Sequence, residues 1–207
     1  MAIAKRKKRF FDVEIPLIKK TTQLQAYEIK DLEGRYIKYD LTRILRGKSM
    51  TLIGQVKVKD DEASATPTKL SLMPSYLKRM VRKGTRYVED SFSTPCKNAQ
   101  VRIKPFLITR RRVSRAIRKA LRDKAREELI EYVKDKKFED IFQDILSNKL
   151  QKPLSLKLKK VYPLSLCEIR IFKVEGELSK KTPEPESIKE EQSKKASKDE
   201  DKENNKE

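Results

Sequence analysis

The chain has 207 residues, with 51 Lys or Arg against 31 Asp or Glu and a formal net charge of +20. Hydrophobic residues reach only 37% and charged residues 40%, so the core is modest and part of the chain lies outside it. A charge excess of this size opposes compaction until a polyanion relieves it, with nucleic acid ahead of an anionic membrane surface; no apolar run approaches the roughly 20 residues that span a bilayer.

The N-terminus, MAIAKRKKRFF, has a basic run but no apolar region or cleavage site, so it does not read as a secretory signal. Lys5, Arg6, Lys7, Lys8 and Arg9 form a basic arm, readable as a solubilising tail, a nuclear localisation signal or a segment ordered against phosphates. Phe10 and Phe11 anchor that arm to the core rather than stack on a base, because Phe11, Val13 and Ile15 alternate on one side of a strand. Residues 26–29 form a weak strand, and residues 35–41 a stronger one after the Glu33-Gly34 turn. Residues 50–59 read as a strand ending in the acidic turn at 60–64, and residues 69–73 pair back across it. Pro74-Ser75 opens a helix over 76–83, stopped by Gly84, that carries Lys78, Arg79, Arg82 and Lys83. Residues 85–94 and 99–109 read as strands joined by a turn at 95–98, with Pro105 marking an edge or a bulge.

The strongest pattern lies next. Val113, Ala116, Ile117, Ala120, Leu121, Ala125, Leu129, Ile130 and Val133 recur at helical spacing. The opposite side carries Arg111, Arg115, Arg118, Lys119, Arg122 and Arg126. A helix over 113–134 is roughly 33 Å long. One side packs; the other presents a row of guanidinium groups, each able to hold a phosphate by two parallel hydrogen bonds. Taken alone, the row is equally consistent with a solvated face. A second amphipathic helix covers 138–149, with Phe138, Ile141, Phe142, Ile145 and Leu146 on one side. At 153–160 the local pattern leaves helix and strand open: Leu154, Leu156 and Leu158 alternate, yet Leu154, Leu158 and Val161 suit a helix begun by Pro153. Residues 166–174 form the last strand. From about 176 the aromatics vanish and a disordered tail is expected. Residues 177–207 hold 8 Lys and 10 acidic residues, a net −2, so the remainder carries +22.

Catalytic chemistry finds little support. There is no His, which removes the commonest general base, the nucleophile pairs built on it and most zinc sites. Cys96 and Cys167 stand alone, which indicates a reducing compartment, no disulfide framework and no shared metal site. Gly47-Lys48-Ser49 ends like a phosphate-binding loop, but position 42 is Thr where that loop requires Gly, so Gly47 is a turn residue. Asp60, Asp61 and Glu62 read as a solvated turn rather than a Mg²⁺ site. Phe10, Tyr36, Tyr76, Tyr87 and Tyr162 interleave with basic residues; base stacking is open to them, and core packing is expected for at least half. No cofactor and no enzymatic activity are expected.

Four segments in order, RFFDVEIP, LEGRYIKYDLTRIL, LITRRRVSRAIRKALRDKAREEL and KKVYPLSLCEIRIFKVE, resemble the archaeal and eukaryotic small-subunit ribosomal proteins of the S-three-a-e family, the eukaryotic-type protein S-one. The resemblance covers about residues 5–175 and is weakest at 59–73. Residues matching the long N-terminal extension of eukaryotic members are not seen, so the resemblance is to archaeal-type chains and an archaeal-type member is expected. The resemblance implies a β-rich body with helices, including a helix at 153–160. It implies a structural role on the platform of the small subunit, near the messenger exit and the ribosomal RNA 3′ end. The partners implied are small-subunit ribosomal RNA and neighbouring ribosomal proteins, with messenger RNA nearby, no membrane, and a cytoplasmic, ribosome-associated location.

The expected fold is α+β: an antiparallel β-rich body, barrel-like or sandwich, with one long basic amphipathic helix, a second shorter helix packed on it, and a disordered C-terminal tail. The expected organisation is a basic arm at 1–9, a single RNA-binding domain at 10–175 and a charged tail at 176–207. The expected RNA contacts are Lys5 to Arg9, Lys78, Arg79, Arg82, Lys83, Arg110, Arg111, Arg112, Arg115, Arg118, Lys119, Arg122 and Arg126. The competing reading is a free basic regulator that binds RNA or DNA.

Overall fold

A computed structural model describes residues 7–45, 47–60 and 62–177. Lys5, Arg6, Asp61 and the tail beyond Glu177 lie outside the described residues.

Nine strands join in one sheet. They are β1 (Arg9–Ile15), β2 (Lys20–Ala26), β3 (Tyr36–Asp40), β4 (Met50–Lys59), β5 (Glu62–Leu72), β6 (Tyr87–Glu89), β7 (Phe92–Pro95), β8 (Ala99–Thr109) and β9 (Leu164–Glu177). Four helices accompany them: α1 (Pro74–Met80), α2 (Arg115–Lys134), α3 (Phe138–Leu146) and α4 (Gln151–Lys159). The fold is α+β. The sheet runs β2-β1-β5-β9-β8-β6 and branches, with β4 and then β3 added beside β5, and β7 added beside β8. Pairing is antiparallel throughout except for one short parallel contact, Val13 with Ala63 and Glu14 with Ser64.

The β4–β5 hairpin follows from alternation in both strands and a tight turn in which Asp60 takes φ 46°. The register shifts between Ile53 and Gly54. Gly54 lies against the other strand there: a Cβ would sit 3.2 Å from the Thr66 carbonyl oxygen. Pro105 marks a second register shift, on β8. It is a bulge and not an edge, because β8 is flanked by β9 on one side and by β6 and β7 on the other. Met50, Leu52, Val56, Leu70, Val101, Ile103 and Phe172 from β4, β5, β8 and β9 are among the core residues between sheet and helices.

Three expectations for strands are corrected. The strand expected at 26–29 is absent; a single 3-10 turn occupies Ile29–Leu32, and the strand lies earlier, as β2. The sequence of β2, KTTQLQA, has little apolar character, and β1 supplies its register through seven paired positions. The strand expected over 85–94 breaks at Asp90-Ser91, where the Asp90 carboxylate accepts from the Ser91 amide and from the Arg126 guanidinium. The last strand continues through Glu177, past the expected start of the tail. Phe11 does anchor the arm, being half-buried against the core, but Phe10 points outward and is 64% exposed. The β1 alternation places them on opposite faces.

Ser114 caps α2, its Oγ accepting from the Ile117 amide at 3.4 Å. Leu121, Ala125, Leu129 and Val133 are buried, each four residues after the last. Ala116 and Ala120, expected in the core, are exposed, because they lie to one side of the packed stripe that begins with Ile117 and Leu121. Residues 153–160 are helical: Leu154 and Leu158 of α4 are buried while Leu156 is exposed, which settles what alternation left open. Helix α4 lies beside α2, and α3 lies over β5 and β9. Phe142 of α3 meets Phe172 edge-on at 4.8 Å.

The α2–α3 junction is a polar clasp. Tyr132 donates to Asp144 Oδ2 at 2.9 Å, and Lys136 Nζ reaches the same oxygen at 2.5 Å. Burial disfavours both charges, yet the hydrogen bonds prevail: Asp144 is held below its ordinary carboxylate value and Lys136 above its ordinary ammonium value. The clasp therefore stabilises the fold above the usual carboxylate range, and its contribution disappears as pH falls through the lowered Asp144 value. At the alkaline end it is lost as pH rises through the raised Lys136 value. Gly47 takes φ 91°, as a turn residue does, and Lys48 is an internal strut, 2.5 Å from Glu168 and 3.0 Å from Asn148 Oδ1. Burial beside Glu168 pushes the Cys167 thiol up to about 12, so it stays protonated.

Candidate nucleic-acid interface

The arginine-rich loop is set by one buried hydroxyl. Thr109 closes β8 and is fully buried. Its Oγ1 lies 2.7 Å from the Arg111 carbonyl and 3.0 Å from the Arg86 carbonyl, and accepts from the Arg86 amide at 3.3 Å. The Thr109 amide donates to the Arg86 carbonyl at 2.9 Å, and the Arg110 amide to the Pro163 carbonyl at 3.3 Å. Residues 110–112 are thereby held against the start of β6 and the approach to β9. Arg86, Arg110, Arg111 and Arg112 are all exposed at this end of the sheet.

Helix α2 extends the row. Arg115, Lys119 and Arg122 are exposed and Arg118 is half-buried. At 3.6 residues per turn these four fall within an arc of about 100°. Among the described residues, Arg111, Arg115, Arg118 and Arg122 make no ion pair; the pairs present are formed by other cations. The Arg118 Nε is buried without an acceptor. A buried donor left unpaired is costly unless a ligand satisfies it. The first turn of α2 contains no acidic residue. Arg115 and Arg118 sit at the positive end of the helix dipole, where cations are unfavourable and anions are bound.

Arg126 is placed differently. Its guanidinium grips Asp90 through Nε at 2.9 Å and Nη2 at 3.0 Å, and lies over the Phe92 ring. Its charge is neutralised within the molecule. Lys78 and Arg79 are exposed on α1, with Arg79 over the Tyr76 ring. Arg82 and Lys83 are exposed in the turn closed by Gly84 at φ 88°, and Thr85 Oγ1 donates to the Arg82 carbonyl at 2.7 Å. That turn leads directly into Arg86, so the second basic group reaches the arginine loop through β6. The arm stands apart: Lys7, Lys8 and Arg9 are exposed next to β1, with Lys8 over Tyr27. Strands β5 and β9 separate β1 from β8, roughly 14 Å at the usual strand spacing.

Arg86 and Arg35 did not emerge from the sequence. Arg35 donates to the Gln25 carbonyl at 3.1 Å and tethers β2 to the start of β3. Arg86 continues the run Arg79, Arg82, Lys83 in the sequence, but its place at the loop depends on the β6–β8 pairing.

Replacing Thr109 with Val keeps the shape and strips the latch, leaving the Arg86 amide and Arg111 carbonyl short of partners. A loss of about 1–3 kcal/mol is expected in urea unfolding. Weaker RNA binding at unchanged net charge is also expected, and T109S restores both.

Comparison with known proteins decides what kind of molecule carries this surface. The sequence model of the Ribosomal S3Ae family matches residues 4–177, ending where β9 ends. The chain belongs to the ribosomal S3Ae family. This S3Ae chain is similar to the small ribosomal subunit protein eS1 of Nanoarchaeum equitans, at 29% identity over 82% of this chain and 90% of that protein. It is also similar to eS1 of Pyrobaculum neutrophilum, at 29% identity over 73% and 71%. A third eS1 relative, from Methanothermobacter thermautotrophicus, is 30% identical over 45% and 49%. As a member of this family, the chain is a ribosomal structural protein and not an enzyme.

Proposed function

We propose that this S3Ae chain holds small-subunit ribosomal RNA by distributed phosphate contacts from residues 110–112 and the basic side of α2. Arg82, Lys83 and Arg86 flank that surface, and the arm at 1–9 reaches RNA separately. One observation carries the reading: Arg115, Arg118 and Arg122 share one side of α2, Arg111 is exposed in the loop leading into it, none of the four has a carboxylate partner among the described residues, and Arg118 keeps a buried donor without an acceptor. Folded RNA is bound largely through phosphate and 2′-hydroxyl contacts, which suits spread cations better than one pocket. Family resemblance supports a site on the platform near the messenger exit and the ribosomal RNA 3′ end. It also supports neighbouring small-subunit proteins as partners, messenger RNA nearby and a cytoplasmic location. Residues 10–177 act as the RNA-binding domain, and the residues after 177 as a charged tail.

A free regulator of RNA or DNA would share the charge and the helix. Sedimentation separates the two readings. In a gentle low-salt extract the chain should travel with small subunits, and ultraviolet crosslinks to ribosomal RNA should map to peptides spanning Arg110 to Arg122. A chain found only at the top of the gradient overturns the proposal.

A further inference from the structure

We infer that Tyr87 is a stacking platform for one unpaired RNA base, an assignment that rests on the proposed RNA-binding role and deepens it. Tyr87 opens β6, a short edge strand that pairs only with β8. Its ring is 53% exposed. One face is taken: the ring stacks on the buried Phe106 at 6.0 Å between centroids and 23° between planes. The ring is thus held in orientation, and about half of the residue's surface stays exposed to solvent. Its paired residue on β8 is Ile108, and the next position is Thr109, whose hydroxyl ties Arg86 to Arg111. Arg86, Arg110, Arg111 and Arg112 are therefore exposed at the same end of the sheet as the ring.

The carboxylates on this edge are occupied. Both Glu89 oxygens lie 2.9 Å from Arg170 Nη1. Asp90 is held by Arg126. What remains is an exposed aromatic ring at the end of the sheet that carries the free arginines, a combination that suits single-stranded nucleic acid: cations track the backbone and aromatic rings stack the bases. A base inside a duplex keeps its faces stacked on its neighbours, so only an unpaired nucleotide fits. Other exposed aromatic rings are less well placed: Tyr27 already has Lys8 over its ring. Tyr36 is 68% exposed, but it follows the turn carrying Glu28, Asp31 and Glu33, and the neighbouring Arg35 is committed to the Gln25 carbonyl. Phe10 shares its face of β1 with Asp12 and Glu14.

The chain contains no Trp, so Y87W places its sole Trp at the site, excited selectively at wavelengths the tyrosines do not absorb. The probes are a short single-stranded oligoadenylate and an abasic ribose-phosphate oligomer of equal charge, titrated into the full chain. Oligoadenylate should quench the Y87W emission, and the abasic oligomer should leave it unchanged. Y87A should bind oligoadenylate about 10-fold more weakly, with the abasic oligomer and the salt slope unaffected. Y87F should match the parent, and Y87L, which still packs on Phe106, should match Y87A. Unquenched emission with oligoadenylate bound, or equal losses for both oligomers, overturns the stacking assignment and leaves the phosphate contacts standing. Failure of the parent chain to bind either oligomer overturns both.

Discussion

Replacing Arg111, Arg115, Arg118 and Arg122 with Glu excludes the chain from small subunits and leaves its isolated fold intact. Each exchange moves the charge by two, taking the formal net charge from +20 to +12 and concentrating the change on one surface. If the four arginines neutralise four phosphates, the logarithmic salt slope falls by about 3 to 4. The reversed charges then repel the same backbone, so RNA affinity drops by about 10³-fold or more at low salt. The fold survives because none of the four makes an ion pair among the described residues and none lies in the buried stripe of α2. Glu at position 115 or 118 even suits the positive end of the α2 dipole. Circular dichroism should therefore show an unchanged or slightly higher melting temperature, with the loss confined to gradient fractions and RNA titrations. Normal subunit occupancy by the variant would refute the phosphate assignment.

Charge pattern and long-range pairing contribute differently to what the chain reveals in advance. Strands β4 and β8 and helices α2 and α3 were legible because each has enough residues for its period to show, and each packs the side its pattern nominates. Strand β2 was not, since KTTQLQA has almost no apolar alternation and owes its place to β1. The break between β6 and β7 was hidden for a related reason: Arg126, far along the chain, meets Asp90 there. That same pair removes Arg126 from the free row, although its spacing on the helix equals that of Arg118 and Arg122. Arg86 shows the reverse. Its run with Arg79, Arg82 and Lys83 does not point to the arginine loop, yet β6 pairing and Thr109 bring it there. Spacing along a helix tells which cations share a side; only tertiary contacts tell which of them remain unpaired.

Truncating Phe142 to Ala should unfold much of the population while altering no charge. Phe142 is fully buried, edge-on to Phe172 of β9 at 4.8 Å and to Phe138 of its own helix at 6.4 Å. Loss of a buried Phe ring costs about 3–5 kcal/mol through lost transfer and the cavity left behind. Typical domains have about 5–15 kcal/mol in total, so roughly a fifth or more of the stability goes. Urea unfolding followed by circular dichroism should show the midpoint falling at unchanged slope, and a loss under 1 kcal/mol would contradict the packing described. F142L keeps most of the volume and should cost less than half as much. Its subunit occupancy should then track temperature: near normal where the fold is populated and falling as it melts, with an unchanged salt slope for RNA. The arginine variant should behave in the opposite way, folded at all those temperatures and absent from subunits at each. Phe142 is far from the arginine loop in sequence, but it holds α3 on β9, and β9 pairs along the whole of β8 up to Thr109. The guanidinium row is usable only while that sheet fixes the loop, so a purely apolar substitution acts on RNA binding through the folded fraction alone.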